Sequence, residues 1–198
     1  MKKIFVFRHG QTEANINKNR DVNPELTELG REQARILGNL LKDKNIKYLY
    51  SSFLKRANDT AKIVGSVIGI DNVEVFGGLE EVDQGILKNT PKTFTGNMPA
   101  NYKDLINDVN SDMRYINGES KFEVRTRIYN TILRIAQQSK YEAVGVASHA
   151  MAMREILGKL KPDDYEPLKN CEVIELEFDE NTNTLKVVRR ISHECFTK

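Results

Sequence analysis

A few side chains of this sequence are spaced so that they could act together on a phosphate group. The run Ile4-Phe5-Val6-Phe7-Arg8-His9-Gly10-Gln11-Thr12-Glu13-Ala14-Asn15 passes abruptly from four apolar residues to an arginine, a histidine and a glycine. A neutral imidazole is a competent nucleophile, and a neighbouring guanidinium binds phosphate oxygens. The chain has three histidines, and a second one, His149, also closes an apolar run, Ala143-Val144-Gly145-Val146-Ala147-Ser148. Arg56 stands near the start of a helical pattern, and Glu80 and Glu81 follow the pair Gly77-Gly78. Singly, each has a plain explanation: a satisfied structural histidine, a surface arginine, a solvated loop carboxylate. Together they suit phosphoryl transfer without a metal. His9 attacks phosphorus, and Arg8, Arg56 and a protonated His149 neutralise the equatorial oxygens while a carboxylic acid protonates the leaving oxygen. That acid needs its proton held by burial or by like charge. The Glu80-Glu81 pair could supply some repulsion, and the residues alone do not choose between the two.

Such groups must be carried to one place by the fold. Ile4–Phe7 and Ala143–Ala147 read as short buried strands, whose carboxyl ends are where open α/β sheets bind ligands. Gly10 allows the close backbone approach that such a corner needs. After Asn15 a polar loop leads to Thr27, a plausible cap for a helix with Ala34, Leu37 and Leu41 on one face. Tyr48-Leu49-Tyr50 reads as a strand, followed by a helix burying Ala57, Ala61, Val64 and Ile68 and stopped by Gly69. Val73 to Phe76 is a third strand. Ser120 and Glu123 match a capping box before a helix with Ile128, Ile132, Ile135 and Ala136 inward. A helix carrying Met153, Ile156 and Leu157 stops at Gly158. Val173–Phe178 and Leu185–Ile191, joined by a turn-rich stretch, form an antiparallel edge hairpin. Strands alternating with helices define an α/β fold of three layers, α/β/α, with a mostly parallel central sheet and helices on both faces. The segment 79–118, with Pro91, Pro99, Gly85, Gly96, Phe94, Met98, Tyr102 and Tyr115, breaks the pattern and reads as a lid or specificity insertion within a single domain spanning 1–198.

Bulk properties narrow the field. A net charge of +2, from 30 basic and 28 acidic residues, gives no global field for nucleic acid or membrane. No apolar run approaches the roughly 20 residues that span a bilayer. The four apolar residues after Met1-Lys2-Lys3 are too few for a signal peptide, so a cytoplasmic location is expected. Cys171 and Cys195 have no metal-like spacing; Cys171 reads as a small core residue, and His193 as structural or exposed.

The order of these motifs resembles the histidine phosphatase superfamily, also called the phosphoglycerate mutase-like family. Arg8-His9-Gly10-x-Thr12-x-x-Asn15 is similar to its signature. So are Leu26-Thr27-x-x-Gly30-x-x-Gln33-Ala34, Ser52-x-Leu54-x-Arg56-Ala57-x-x-Thr60-Ala61, Leu79-x-Glu81, Gly118-Glu119-Ser120, Ser148-His149 and Asn170-Cys171-x-Val173. The resemblance covers essentially the whole chain. It implies His9 as a phosphohistidine nucleophile, Glu81 rather than Glu80 as general acid and later base, and Arg8, Asn15, Arg56 and His149 as the phosphate pocket. With no metal-like cluster in the sequence, no metal and no cofactor are expected. Phe53 stands where the family usually has proline and Ala150 where it often has glycine. Ile86-Leu87-Lys88-Asn89 replaces a common Trp-Glu-Gly segment, which bears on the substrate.

Three functions compete. One is a phosphomonoesterase acting on a small phosphate ester. Another is a cofactor-dependent phosphoglycerate mutase, although mutases are generally longer, with an extended tail over the site, and this sequence stops at Lys198. The last is a regulatory module that only binds a phosphate ligand, which would need no nucleophile and acid together. The phosphatase is the expected one. The identity of the ester and the oligomeric state stay open.

Overall fold

The computed structural model describes residues 1–17, 19–90, 114 and 117–197. Its elements run β1 (Lys2–Arg8), α1 (Glu13–Ile16), α2 (Glu28–Leu41), β2 (Tyr48–Ser51), α3 (Lys55–Ile68), β3 (Val73–Val75), α4 (Lys121–Gln138), β4 (Ala143–Ser148), α5 (Ala150–Leu160), β5 (Val173–Asp179) and β6 (Thr184–Ile191). One sheet holds the six strands in the order β3-β2-β4-β1-β5-β6. The first four are parallel to one another, while β5 runs antiparallel to β1 and β6 antiparallel to β5. This is the expected mostly parallel sheet with an antiparallel edge hairpin.

The alternation of side chains along β1 explains the three layers. Ile4 and Val6 face a core shared with Val124, Ile128 and Ile132 of α4 and with Met153 and Ile156 of α5. Phe5 and Phe7 face the opposite core, shared with Leu37 and Leu41 of α2 and with Ala57, Ala61 and Val64 of α3. A strand buried on both faces has no polar alternation, which is why it reads as a continuous apolar run. Trimming a fully buried ring such as Phe7 to alanine would cost about 3–5 kcal/mol.

Helix starts follow local chemistry. Thr27 Oγ1 accepts from the Gly30 amide at 3.0 Å, and Ser120 and Glu123 close a reciprocal capping box at the start of α4. Gly69 ends α3 at φ 80°, a left-handed conformation suited to glycine. Three local expectations are corrected. The loop expected after Asn15 starts one residue later, because α1 runs through Ile16; at its start Asn15 Oδ1 accepts from the Thr12 amide (2.9 Å) and hydroxyl (3.0 Å). Gly158 does not stop α5, which continues to Leu160. A side chain at Gly158 would meet the Tyr165 ring at 2.9 Å, so the glycine is there for close packing. Strand β3 is also one residue shorter than expected. Of the proposed 79–118 insertion, residues 79–90, 114, 117 and 118 are described, with a 3-10 turn at Gly85–Leu87. Phe94, Met98, Tyr102 and Tyr115 lie outside the described residues.

Candidate active site

The parallel strands present their carboxyl ends to one edge of the sheet. Arg8 of β1 pairs in register with Ser148 of β4, so His9 and His149 are the first residues beyond two adjacent strands. Their ring centroids are 5.3 Å apart. Strand β2 leads through Ser52 into α3, whose second residue is Arg56, and the chain beyond β3 reaches Glu81.

The backbone that carries His9 is held from every side. The His9 carbonyl accepts from Asn170 Nδ2 (3.0 Å) and from the Cys171 amide (3.3 Å). The Gly10 amide donates to Thr60 Oγ1 at 3.1 Å, and the Gln11 amide to Gln33 Oε1 at 2.9 Å. Gly10 itself is required by close approach, since a Cβ there would lie 2.3 Å from the Gly30 carbonyl oxygen. His9 Nδ1 sits 2.7 Å from the Gly10 carbonyl, which can only accept, so Nδ1 carries the hydrogen. That leaves a lone pair on Nε2, to which Arg56 Nε donates at 3.1 Å. Burial, followed by the charges of Arg56 and Arg8, pushes the proton affinity of His9 well below the ordinary histidine range. The imidazole is neutral at pH 7, the state a nucleophile requires.

Arg8 and Arg56 are each only 7 % exposed. Arg8 Nη1 donates to the Leu168 carbonyl at 2.7 Å, whereas its Nε is buried with no hydrogen-bond partner. Arg56 Nη1 donates to the Val22 carbonyl at 2.8 Å. Burial lowers the pKa of both, that of Arg56 to about 10, so both remain cations at neutral pH. Two buried guanidiniums with donors to spare call for an anion.

His149 is fully buried, packed against the His9 ring rather than on the pocket wall. Its Nε2 lies 2.7 Å from Ser52 Oγ, and its Nδ1 has no partner. Burial and the charges of Arg56, His9, Arg8 and Arg127 press its pKa well below the usual value. The expectation of a protonated His149 is therefore corrected: two fixed cations next to a dry imidazole keep it neutral.

Glu81 reaches the start of α5. Its Oε1 accepts from the amides of Val82 (3.0 Å), Met151 (3.1 Å) and Ala152 (3.1 Å). Glu80 turns the other way, accepting from the Gly78 amide at 2.9 Å and lying 3.6 Å from Arg127, so the expected charge repulsion between neighbours is not what sets Glu81. Asn15 spends its Oδ1 on Thr12, which leaves the amide hydrogens toward the pocket that it lines.

Arg8, His9, Asn15, Arg56 and Glu81 meet in one cavity of about 850 Å³. That volume exceeds a phosphoryl group and leaves room for an organic moiety. Its outer wall mixes apolar Val22, Pro24, Phe53 and Met151 with charged residues that are already engaged. Arg127 donates to Glu119 at 2.8 and 2.6 Å, and Lys88 lies 2.7 Å from Asp83. No group of three or more side chains able to hold a metal ion occurs among the described residues. No helix among them is long and apolar enough to cross a membrane.

Reading the sequence assigned no role to Thr60, Gln33, Asn170 or Ser52, which position the reactive groups, or to Arg127. The first four all stand inside the motif runs quoted above, and that was the signal available for them. Arg127 had none.

A parallel sheet that gathers two neutral histidines, two buried arginines and a carboxylate at its carboxyl edge defines a site of the phosphoryl-transfer class. The profile of the Histidine phosphatase superfamily (branch 1) matches residues 4–190, and this chain belongs to that superfamily. It is 30% identical to Phosphoglycerate mutase-like protein 4 of Arabidopsis thaliana, over 96% of this chain and 86% of that one. Among solved structures, a mycobacterial glucosyl-3-phosphoglycerate phosphatase complexed with VO3 superposes with a TM-score of 0.81 at 21% identity, covering 98% of this chain and 99% of the other. A phosphoserine phosphatase from Entamoeba histolytica, in complex with phosphoserine, superposes with a TM-score of 0.79 at 23% identity, covering 98% and 99%. These neighbours share the fold.

Proposed function

We propose that the chain is a metal-independent phosphomonoesterase that hydrolyses a small phosphorylated metabolite through a phosphohistidine on His9. The observation that carries this reading is the Arg56 Nε–His9 Nε2 contact: a neutral nitrogen lone pair held against a buried cation, beside a second buried cation with an unpaired donor. An arriving phosphate takes the guanidiniums of Arg8 and Arg56 onto its oxygens and frees His9 Nε2 for in-line attack. The N–P bond forms as the ester P–O bond breaks, and Glu81 gives its proton to the departing oxygen. Water then attacks the phosphohistidine, passing its proton to the Glu81 carboxylate, and phosphate leaves with His9 restored. Asn15, which lines the pocket, completes the set of donors around the phosphoryl oxygens, and His149, buried against His9, joins them once the Arg56–His9 contact has opened.

The alternative, isomerisation of a phosphoglycerate, draws on the name of the Arabidopsis relative. It requires cations for a substrate carboxylate beyond the phosphate. Among the described residues of the outer pocket, Lys88 and Arg127 already have carboxylate partners and Arg20 donates to Thr90, which favours hydrolysis.

A panel of phosphate esters assayed in excess EDTA tests the proposal. It should include 3-phosphoglycerate with and without 2,3-bisphosphoglycerate, and both free phosphate and isomerised product should be measured. Free phosphate in the presence of chelator supports it. Isomerisation that depends on the bisphosphate would make the chain a mutase, and loss of turnover in EDTA would defeat the metal-free mechanism.

A further inference from the structure

The contact between Ser52 and His149 has a direction that the heavy atoms alone leave unstated. Ser52 is fully buried, and its Oγ already accepts from the Leu54 amide at 3.3 Å. The hydroxyl hydrogen needs an acceptor, and within hydrogen-bonding distance the structure offers His149 Nε2, 2.7 Å away. Were Nε2 to carry the imidazole hydrogen instead, the hydroxyl would have to turn and accept it, leaving two buried groups unmatched, the hydroxyl hydrogen and the Nδ1 lone pair, whereas the reverse arrangement leaves only the Nδ1 hydrogen waiting for an acceptor. Neutral His149 has a single N–H, so if Nε2 accepts, Nδ1 must donate. Nδ1 is the buried nitrogen with no partner, set among the charges of Arg56, His9 and Arg8.

We infer that Ser52 is a positioning residue: its hydroxyl fixes His149 in the Nδ1–H tautomer and so keeps a neutral N–H donor behind His9, for a phosphoryl oxygen that enters as the Arg56–His9 contact opens. This rests on the phosphoryl-transfer reading of the site and assigns how His149 serves it without a positive charge. The opposite tautomer would present a lone pair to the phosphate oxygens and repel them. Ser52 touches no substrate atom in this arrangement; it acts through the imidazole. The backbone supports the geometry, because the Ser52 amide donates to the Ala147 carbonyl (3.2 Å) and so ties the end of β2 to the end of β4.

Nitrogen-15 NMR of the histidine side chains in the substrate-free protein tests this directly, since the two neutral tautomers have distinct shifts and couplings. Three histidines make the assignment tractable. His9, bonded to Gly10, should show the Nδ1–H pattern, and His193, whose Nδ1 accepts from the Cys195 amide, the Nε2–H pattern. His9→Ala and His193→Gln identify their signals. His149 is expected as Nδ1–H, and an Nε2–H or doubly protonated His149 overturns the inference. Ser52→Ala should convert part of that signal to Nε2–H and weaken inhibition by inorganic phosphate roughly tenfold, the worth of one hydrogen bond to a charged acceptor. Ser52→Cys, which keeps a weak donor, should restore part of the Nδ1–H signal. An unchanged tautomer and unchanged phosphate affinity in Ser52→Ala would also overturn it. Because the tautomer is read without turnover, its outcome is separate from that of the ester panel: the phosphatase reading can fail while the tautomer stands, and the reverse.

Discussion

The inner and outer halves of the pocket are built on opposite principles. At the inner end, Arg8, His9, Arg56 and His149 are buried, come from three adjacent strand ends, and are fixed by backbone and side-chain contacts. At the outer end, Phe53 is 63 % exposed and the charged groups sit in partly solvated pairs such as Lys88–Asp83. Burial strengthens every charge at the inner end and sets protonation states there, whereas solvent screens the outer pairs, which contribute little. On the proposed reading the inner half carries the reaction and the outer half meets the rest of the substrate. Of the departures from the family pattern, Phe53 and Lys88 line the outer wall, Leu87 is buried in the core, and Ala150 lines the pocket next to His149.

Mutations can break the division or sharpen it. The largest effect is expected from His9→Ala, which should cut turnover by roughly 10⁴-fold or more while circular dichroism and thermal melting report an intact fold. Substantial remaining activity would remove His9 as nucleophile. Glu81→Gln should slow an alkyl phosphate by about 10²–10³-fold and p-nitrophenyl phosphate far less, because only the poor leaving group needs the proton. An equal loss on both would take the acid role away from Glu81. The inner end should also govern the response to acid. His9 and His149 have folded pKa values below 6.5, so the unfolded chain binds more protons below about that pH. Stability is then full above it and falls as pH drops, by up to about 1.4 kcal/mol per pH unit for each histidine. Melting curves from pH 7.5 to 5.5 should show that slope, and His149→Asn should halve it; a flat profile would mean that the pair is not held neutral. Phe53→Ala should have the smallest effect: stability unchanged within about 0.5 kcal/mol, and KM shifted a few-fold in a way that depends on the ester. A uniform loss of kcat on all esters would put Phe53 with the chemistry instead.

Much of the inner end was legible because His9 and His149 directly follow buried strands that announce themselves as short apolar runs, and Arg56 stands in the first turn of the helix after a third. The four groups could be placed on one edge before any coordinates. Their charge states could not, since the lowered proton affinity of His149 comes first from its burial and then from Arg56, His9 and Arg8 gathering around it, all facts of packing. Gly158 misled for a similar reason: as a local signal it ends a helix, while in the fold it makes room for Tyr165. Nothing in the sequence pattern announced α1, where two bonds from Thr12 to Asn15 wind the stretch into a turn of helix. The outer wall had no local pattern to read. Val22, Phe53, Arg127 and Met151 come from four separate segments and meet only after folding.

The brace behind the nucleophile has a consequence for folding order. Asn170 reaches the His9 carbonyl across 161 positions, and Gln33, which holds the Gln11 amide, is itself tied to the Cys195 carbonyl and Thr197 hydroxyl across 162 and 164. Contacts this distant in sequence wait for long loops to close and are among the last to form. The β5–β6 hairpin and the α2–α3 pair can assemble from nearer pairings, while β1, whose partners in β4 and β5 are equally distant in sequence, and the Arg8–Gly10 corner at its end are still loose. A refolding chain should accordingly regain its helical signal before its activity.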